Sequence, residues 1–115
     1  MKREAEANML TGVLVKQLKR NLDERGCFTE IFRKDWKDLF EEEKAVQANF
    51  SVTFPGMIRA WHMHERGQID CFVVLRGALK ICAFDEKTKE LDEIFSSGQD
   101  LQVVRVLGKS DGAAH

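Results

Sequence analysis

The apolar residues of this chain come in short runs that alternate with polar ones, closed by Gly, Asn or Asp, and one segment departs from that rhythm. A period of two puts successive side chains on opposite faces, so such runs make half-buried strands rather than helices. Strands are predicted over residues 12–18, 27–32, 47–52, 57–64, 71–75, 78–84, 91–95 and 101–107. Residues 21–26 are predicted as a turn-rich loop, Arg76-Gly77 as a tight hairpin turn between its flanking strands, and 85–89 as a polar turn. The exception is 35–41, where Trp36, Leu39 and Phe40 recur at i, i+3 and i+4, with Asp35 able to cap the first turn. That spacing predicts a short helix whose apolar stripe packs into the core. Many short strands, regular turns and one short helix define an all-β fold, an antiparallel sandwich or barrel.

A length of 115 residues leaves room for one domain, and a fold of that size buries roughly 65% of its unfolded surface. The chain is therefore read as a single domain over 1–115, with polar residues 1–8 frayed and small, polar residues 108–115 forming a tail. A formal net charge of −1 and a pI near 6.3 lack the basic excess of a nucleic-acid binder. Cys27, Cys71 and Cys82 make no CxxC pair, and an odd count suits a reducing compartment. The start, MKREAEANML, carries acids where a signal peptide needs an apolar stretch, and the longest apolar run, 71–75, is strand-sized. The expectation is a cytoplasmic protein with neither a membrane nor a nucleic acid as partner. The chain holds no Tyr, so no phenol within it serves as acid or base.

The most telling spacing is Gly56-x5-His62-x-His64-x5-Asp70-x6-Gly77. On a strand, His62 and His64 would point to one face, where two imidazoles and a carboxylate from the next strand could converge on a divalent metal. The pattern resembles the first motif of the cupin superfamily, with Asp70 where a Glu is usual. Leu107-Gly108 stands where the second motif has Pro-Gly, and the only later His is His115. Metal binding by His62, His64 and Asp70 therefore stays an alternative rather than the leading reading.

A more specific resemblance covers about residues 12–106. Asp23-Glu24-Arg25-Gly26-Cys27-Phe28-Thr29-Glu30 resembles the D-x-R-G-x-F-x-E signature of dTDP-4-dehydrorhamnose 3,5-epimerases. Gln47-Ala48-Asn49-Phe50-Ser51 is similar to their Q-x-N-x-S strand, and Gly56-Met57-Ile58-Arg59-Ala60-Trp61-His62 to their G-v-x-R-G-x-H segment. Gln68 and Val73-Val74-Leu75-Arg76-Gly77 match the family's next strand and turn, in its order and at its separations. The resemblance implies a cupin-type antiparallel β-barrel or jelly roll (a double-stranded β-helix), no cofactor, a small-molecule nucleotide sugar as partner, and a homodimer that exchanges N-terminal strands.

It also implies roles. Arg25, Phe28 and Glu30 would hold the nucleotide, often from the neighbouring subunit, with Arg25 forking onto phosphate and Phe28 offering a face to a base. Gln47 and Asn49 would line the barrel interior, Arg59 would bind phosphate, and His64, in the place of a family Gln, would hydrogen-bond in the pocket. His62 falls on the general base that takes a proton from the carbon beside a 4-keto group, work an imidazole suits because it ordinarily titrates near neutral pH. Asp70 stands where the family places a Lys that stabilises the enolate, and a carboxylate would repel that charge rather than stabilise it. Its remaining duty would be to orient His62. The expected activity is a sugar-nucleotide epimerase or isomerase reaction on a dTDP-4-keto-6-deoxyhexose; the alternative is a nucleotide-sugar-binding cupin with an incomplete catalytic set.

Each position also has a plain structural reading. Arg25 with Asp23 could be a surface turn pair, Phe28 ordinary core, and Gln47 and Asn49 partners for sheet-edge backbone. Simple alternation also puts Arg59 on the face opposite His62, which only a bulge would reconcile with a shared pocket.

Overall fold

The computed structural model describes residues 12–40, 47–62, 69–107 and 113–114. Eight strands and one short helix appear among them: β1 (Leu14–Gln17), β2 (Asn21–Asp23), β3 (Gly26–Phe28), α1 (Lys37–Phe40), β4 (Ile69–Phe72), β5 (Ala78–Asp85), β6 (Glu90–Ser97), β7 (Gln102–Leu107) and β8 (Ala113–Ala114). All pairings are antiparallel. One sheet has the order β1-β7-β4, a second β6-β5-β8, and β2-β3 stands apart as a hairpin. The fold is thus nearly all-β with one short helix, consistent with the cupin-type fold that the sequence resemblance implies. No helix of the described residues is long and apolar enough to cross a membrane.

Alternation on β7 decides what packs where. Val104 and Val106 point to one face and join Val13, Ala83 and Ile94 in a core between the two sheets, with Val15, Phe72 and Ile81 at its margin. Val103 points to the other face and packs with Trp36, Leu39 and Phe40 of the helical segment, beside Leu14, Leu18 and Val73. The helical stripe is core, as its spacing predicts. Two cations from the sheet fasten it there. Lys16 Nζ lies 2.7 Å from Asp38 Oδ2 and 5.1 Å from the centroid of the Trp36 ring. Arg105 Nη1 donates to the Leu39 carbonyl, one of the acceptors a helix leaves open in its last turn.

Several sequence expectations need correction. Arg76-Gly77 does not close a hairpin: β4 pairs with β7, and β5 with β6, so this turn carries the chain from one sheet to the other. Gly77 adopts φ +81, and its carbonyl accepts a 3.0 Å hydrogen bond from Gly98 N–H. A Cβ on Gly98 would sit 2.3 Å from the Leu75 carbonyl oxygen, so glycine there lets the β6–β7 turn pack against the crossing. Residues 21–26 are not merely a loop, since their first half forms β2 and pairs with β3. The strand expected over 27–32 stops at Phe28, and the one over 71–75 spans Ile69–Phe72. Residues 47–52 and 57–62 form no strand, because no strand among the described residues supplies their ladder; 63 and 64 lie outside the described residues. Within the expected tail, Ala113–Ala114 pair with Asp85 and Phe84. Residues 1–8, expected to fray, lie outside the described residues.

Candidate functional site

Apart from His64, the residues singled out from sequence lie on three pieces of chain: the β2–β3 hairpin with the stretch after it, the segment 47–62, and β4. The hairpin forms because Glu24 and Arg25 make its turn and Gly26 takes a positive φ of 139°. Arg25 folds back on Asp23, with Nη2 2.7 Å from Oδ2, while its backbone N–H donates to Oδ1 at 2.8 Å. That guanidinium beside it holds the Asp23 carboxyl below its ordinary value. The plain reading of Arg25 as a turn pair is thus correct as far as it goes, yet the side chain is 90% exposed and open to an anion. Phe28 is 65% exposed and is not core. Asn21 Nδ2 donates to the Phe28 carbonyl at 3.2 Å and fixes the hairpin at that end.

Glu30 comes next on exposed, irregular chain, where Arg33 Nη1 reaches its Oε1 at 3.2 Å. Arg33 spends its other edge on Asp35, with Nε and Nη2 both 2.8 Å from the two carboxylate oxygens. From sequence, Asp35 reads only as a helix cap, and no motif marks Arg33. The i, i+3 spacing of Glu30 and Arg33 is the one signal that points to their pairing.

Segment 47–62 is irregular and almost wholly exposed, and short local hydrogen bonds give it its shape. Gln47 Nε2 donates to Asn49 Oδ1 at 3.1 Å, so these two are brought together. Pro55 and Gly56 turn the chain, with Met57 N–H donating to the Phe54 carbonyl at 3.1 Å and Gly56 at φ +79. Arg59 reaches back across that turn, Nε to Thr53 Oγ1 at 3.0 Å and Nη2 to the Val52 carbonyl at 2.9 Å. With no strand here, alternation does not set Arg59 against His62, and no bulge is needed. His62 is exposed at the end of the segment, next to Trp61, whose ring centroid lies 6.5 Å from that of Phe84.

Asp70 is half-buried on β4, opposite Val106 and in register with the strand face that carries Phe72 and Val104 to the core between the sheets. Its neighbour Cys71 points the other way, opposite Arg105. Cys71 lies at the surface, but burial of the thiol pushes it up to about 11, with Arg105 pulling down and Asp70 pushing up. His64 lies outside the described residues; among those described, no group of three His, Cys, Asp or Glu side chains converges as a metal site. An open groove of about 310 Å³ runs along β5 and β6 beside Leu79, Lys80, Phe95, Ser96 and Asp100, and none of the candidate residues lines it.

Chemically, the arrangement offers cations, an aromatic face, amides and an imidazole on exposed chain, alongside one half-buried carboxylate. That inventory suits a polar, anionic small molecule. The model of the dTDP-4-dehydrorhamnose 3,5-epimerase family matches residues 7–92. The chain is similar to the probable low-salt glycan biosynthesis epimerase Agl13 of Haloferax volcanii, at 38% identity over 84% of this chain and 64% of that protein. It is also similar to the spore coat polysaccharide biosynthesis protein SpsL of Bacillus subtilis, at 34% identity over 93% of this chain and 70% of that protein. The chain thus spans about two thirds of the length of these relatives. No solved structure matches.

Proposed function

The chain belongs to the dTDP-4-dehydrorhamnose 3,5-epimerase family, and from that premise we propose that it is a sugar-nucleotide epimerase or isomerase serving glycan biosynthesis. Its substrate is a dTDP-4-keto-6-deoxyhexose. The observation that carries this reading is the single exposed segment on which Gln47, Asn49, Arg59 and His62 succeed one another, inside the stretch the family model matches.

In this reading His62 takes the proton from the carbon beside the keto group. The C–H electrons pass into a carbon–carbon double bond, and the carbonyl electrons onto oxygen, leaving an enolate. Return of a proton to the opposite face of that carbon inverts it. Asp70 orients the imidazole and balances its charge once protonated; it does not serve the enolate oxygen, which needs donors or cations. The acid for the return step is not a phenol of these 115 residues, which include no Tyr. Arg25 and Arg59 meet the diphosphate, Phe28 stacks on the base, and Glu30, Gln47, Asn49 and His64 hydrogen-bond the nucleotide sugar.

The protein acts as a homodimer. Leu22, Phe50 and Ile58 are 76, 80 and 88% exposed, and they share the hairpin and the 47–62 segment with the site residues. A second copy laid on these segments buries that apolar surface and brings its own hairpin to the pocket.

The test is proton exchange. The protein is incubated with a dTDP-4-keto-6-deoxyhexose in heavy water, and deuterium is followed at C3 and C5. Wild type incorporates deuterium and His62→Ala loses it by about a hundredfold or more. Wild-type exchange no faster than the His62→Ala control sinks the enzyme reading, and binding of dTDP without exchange leaves only a nucleotide-sugar-binding protein.

A further inference from the structure

Glu30 is exposed, and an exposed glutamate ordinarily moves among many rotamers that a ligand must freeze on binding. Here one of its carboxylate oxygens has a partner. Asp35 takes Arg33 Nε and Nη2 at 2.8 Å each, a two-bond fork that fixes the plane of the guanidinium. The remaining edge presents Nη1 to Glu30 Oε1 at 3.2 Å. Oε2 makes no hydrogen bond among the described residues. The brace has a firm footing, because the Arg33 carbonyl accepts the Trp36 N–H at 3.2 Å and Trp36 is buried beneath α1.

We infer that Arg33 is a positioning residue for Glu30, holding one carboxylate oxygen so that a bound nucleotide meets the other already set in place. The inference rests on the reading of Glu30 as a nucleotide-holding residue. Arg33 itself touches no ligand; it lowers the ordering cost of a residue that does. A surface ion pair of this exposure adds little to stability, so its loss registers in binding rather than in folding.

The test titrates the full chain with dTDP by calorimetry and records melting in parallel. Glu30→Gln weakens binding about tenfold, the share expected of one charge-assisted hydrogen bond. Arg33→Gln weakens it about fivefold, with the melting temperature held within about 2 °C. The double variant binds no more weakly than Glu30→Gln alone, because Arg33 acts only through Glu30. Arg33→Lys keeps the charge but not the fork, and stays near Arg33→Gln. Should Arg33→Gln fold poorly, Asp35→Asn loosens the same fork and shows a smaller loss, again absent in the Glu30→Gln background. Losses that multiply in the double variant, wild-type affinity in Arg33→Gln, or full rescue by lysine each overturn the positioning role. Wild type that binds dTDP while Glu30→Gln binds equally well overturns the role and leaves the nucleotide reading standing. No binding by wild type removes the nucleotide reading itself, and this inference with it.

Discussion

Between the sheets, Val13, Ala83 and Val104 are almost wholly withdrawn from water, and beneath the helix Leu39 is too. On the hairpin and the 47–62 segment, side chains just as apolar stay mostly in solvent, and polar groups bond to near neighbours in sequence: Arg25 to Asp23, Gln47 to Asn49, Arg59 to Thr53. One region is held by burial and long-range ladders, the other by local hydrogen bonds of modest net worth. The proposed site lies mostly in the second. The segments that carry the proposed site keep their apolar side chains in solvent, while the two sheets bury theirs against each other.

The first way to break that contrast is Leu39→Ala. Leu39 is fully buried against Val103 and Trp36, and its truncation destabilises the fold by about 3 kcal/mol in urea unfolding. A loss under about 1 kcal/mol would show that α1 is an ornament on the sheet rather than part of the core. Next comes Lys16→Met, which strips Asp38 of a partner 2.7 Å away and costs about 1–2 kcal/mol, less than a wholly buried pair because Asp38 is 22% exposed. Adding Asp38→Asn should return part of that loss. Phe28→Ser sharpens the other side: unfolding shifts by less than about 0.5 kcal/mol, while dTDP affinity falls several-fold. If Phe28→Ser destabilises as much as Leu39→Ala, the hairpin belongs to the folded core and the contrast fails.

The smallest effect concerns Cys71. Its thiol titrates near 11 in the folded chain instead of 9.0, so the unfolded chain releases that proton first as pH rises. The folded state is therefore favoured below pH 9.0, and the contribution is lost as pH climbs through about 11. Alkylation by iodoacetamide tracks the thiolate, so Cys71 reacts slowly at neutral pH and faster through that alkaline window. Rapid modification of Cys71 at pH 7, located by peptide mapping, would contradict the burial of its thiol.

Much of the fold is legible where a local pattern suffices. Trp36, Leu39 and Phe40 announce a buried helical stripe by spacing, and 78–84, 85–89 and 91–95 announce the β5–β6 hairpin by alternation around a polar turn. The reading fails where the outcome hangs on a distant partner. Arg76-Gly77 looks like a hairpin turn because a turn tripped by glycine is a local matter; that β4 chooses β7 instead of β5 is not. The 47–52 and 57–62 alternations are real, but alternation names faces and supplies no neighbour, so these segments form no ladder with the described strands. At the site, the order of Arg25, Phe28, Glu30, Gln47, Asn49, Arg59 and His62 is readable, whereas nothing in that order marks Arg33, the residue that braces Glu30.

The all-β class, the short helix and the family are readable from the residues alone, because composition, period and motif order are properties of neighbouring residues. Strand pairing, the cations that fasten α1, and the exposure of most of the described candidate residues beside a packed core are visible in the tertiary structure alone. Those outcomes depend on burial and backbone partners supplied from far along the chain, and no local pattern encodes them.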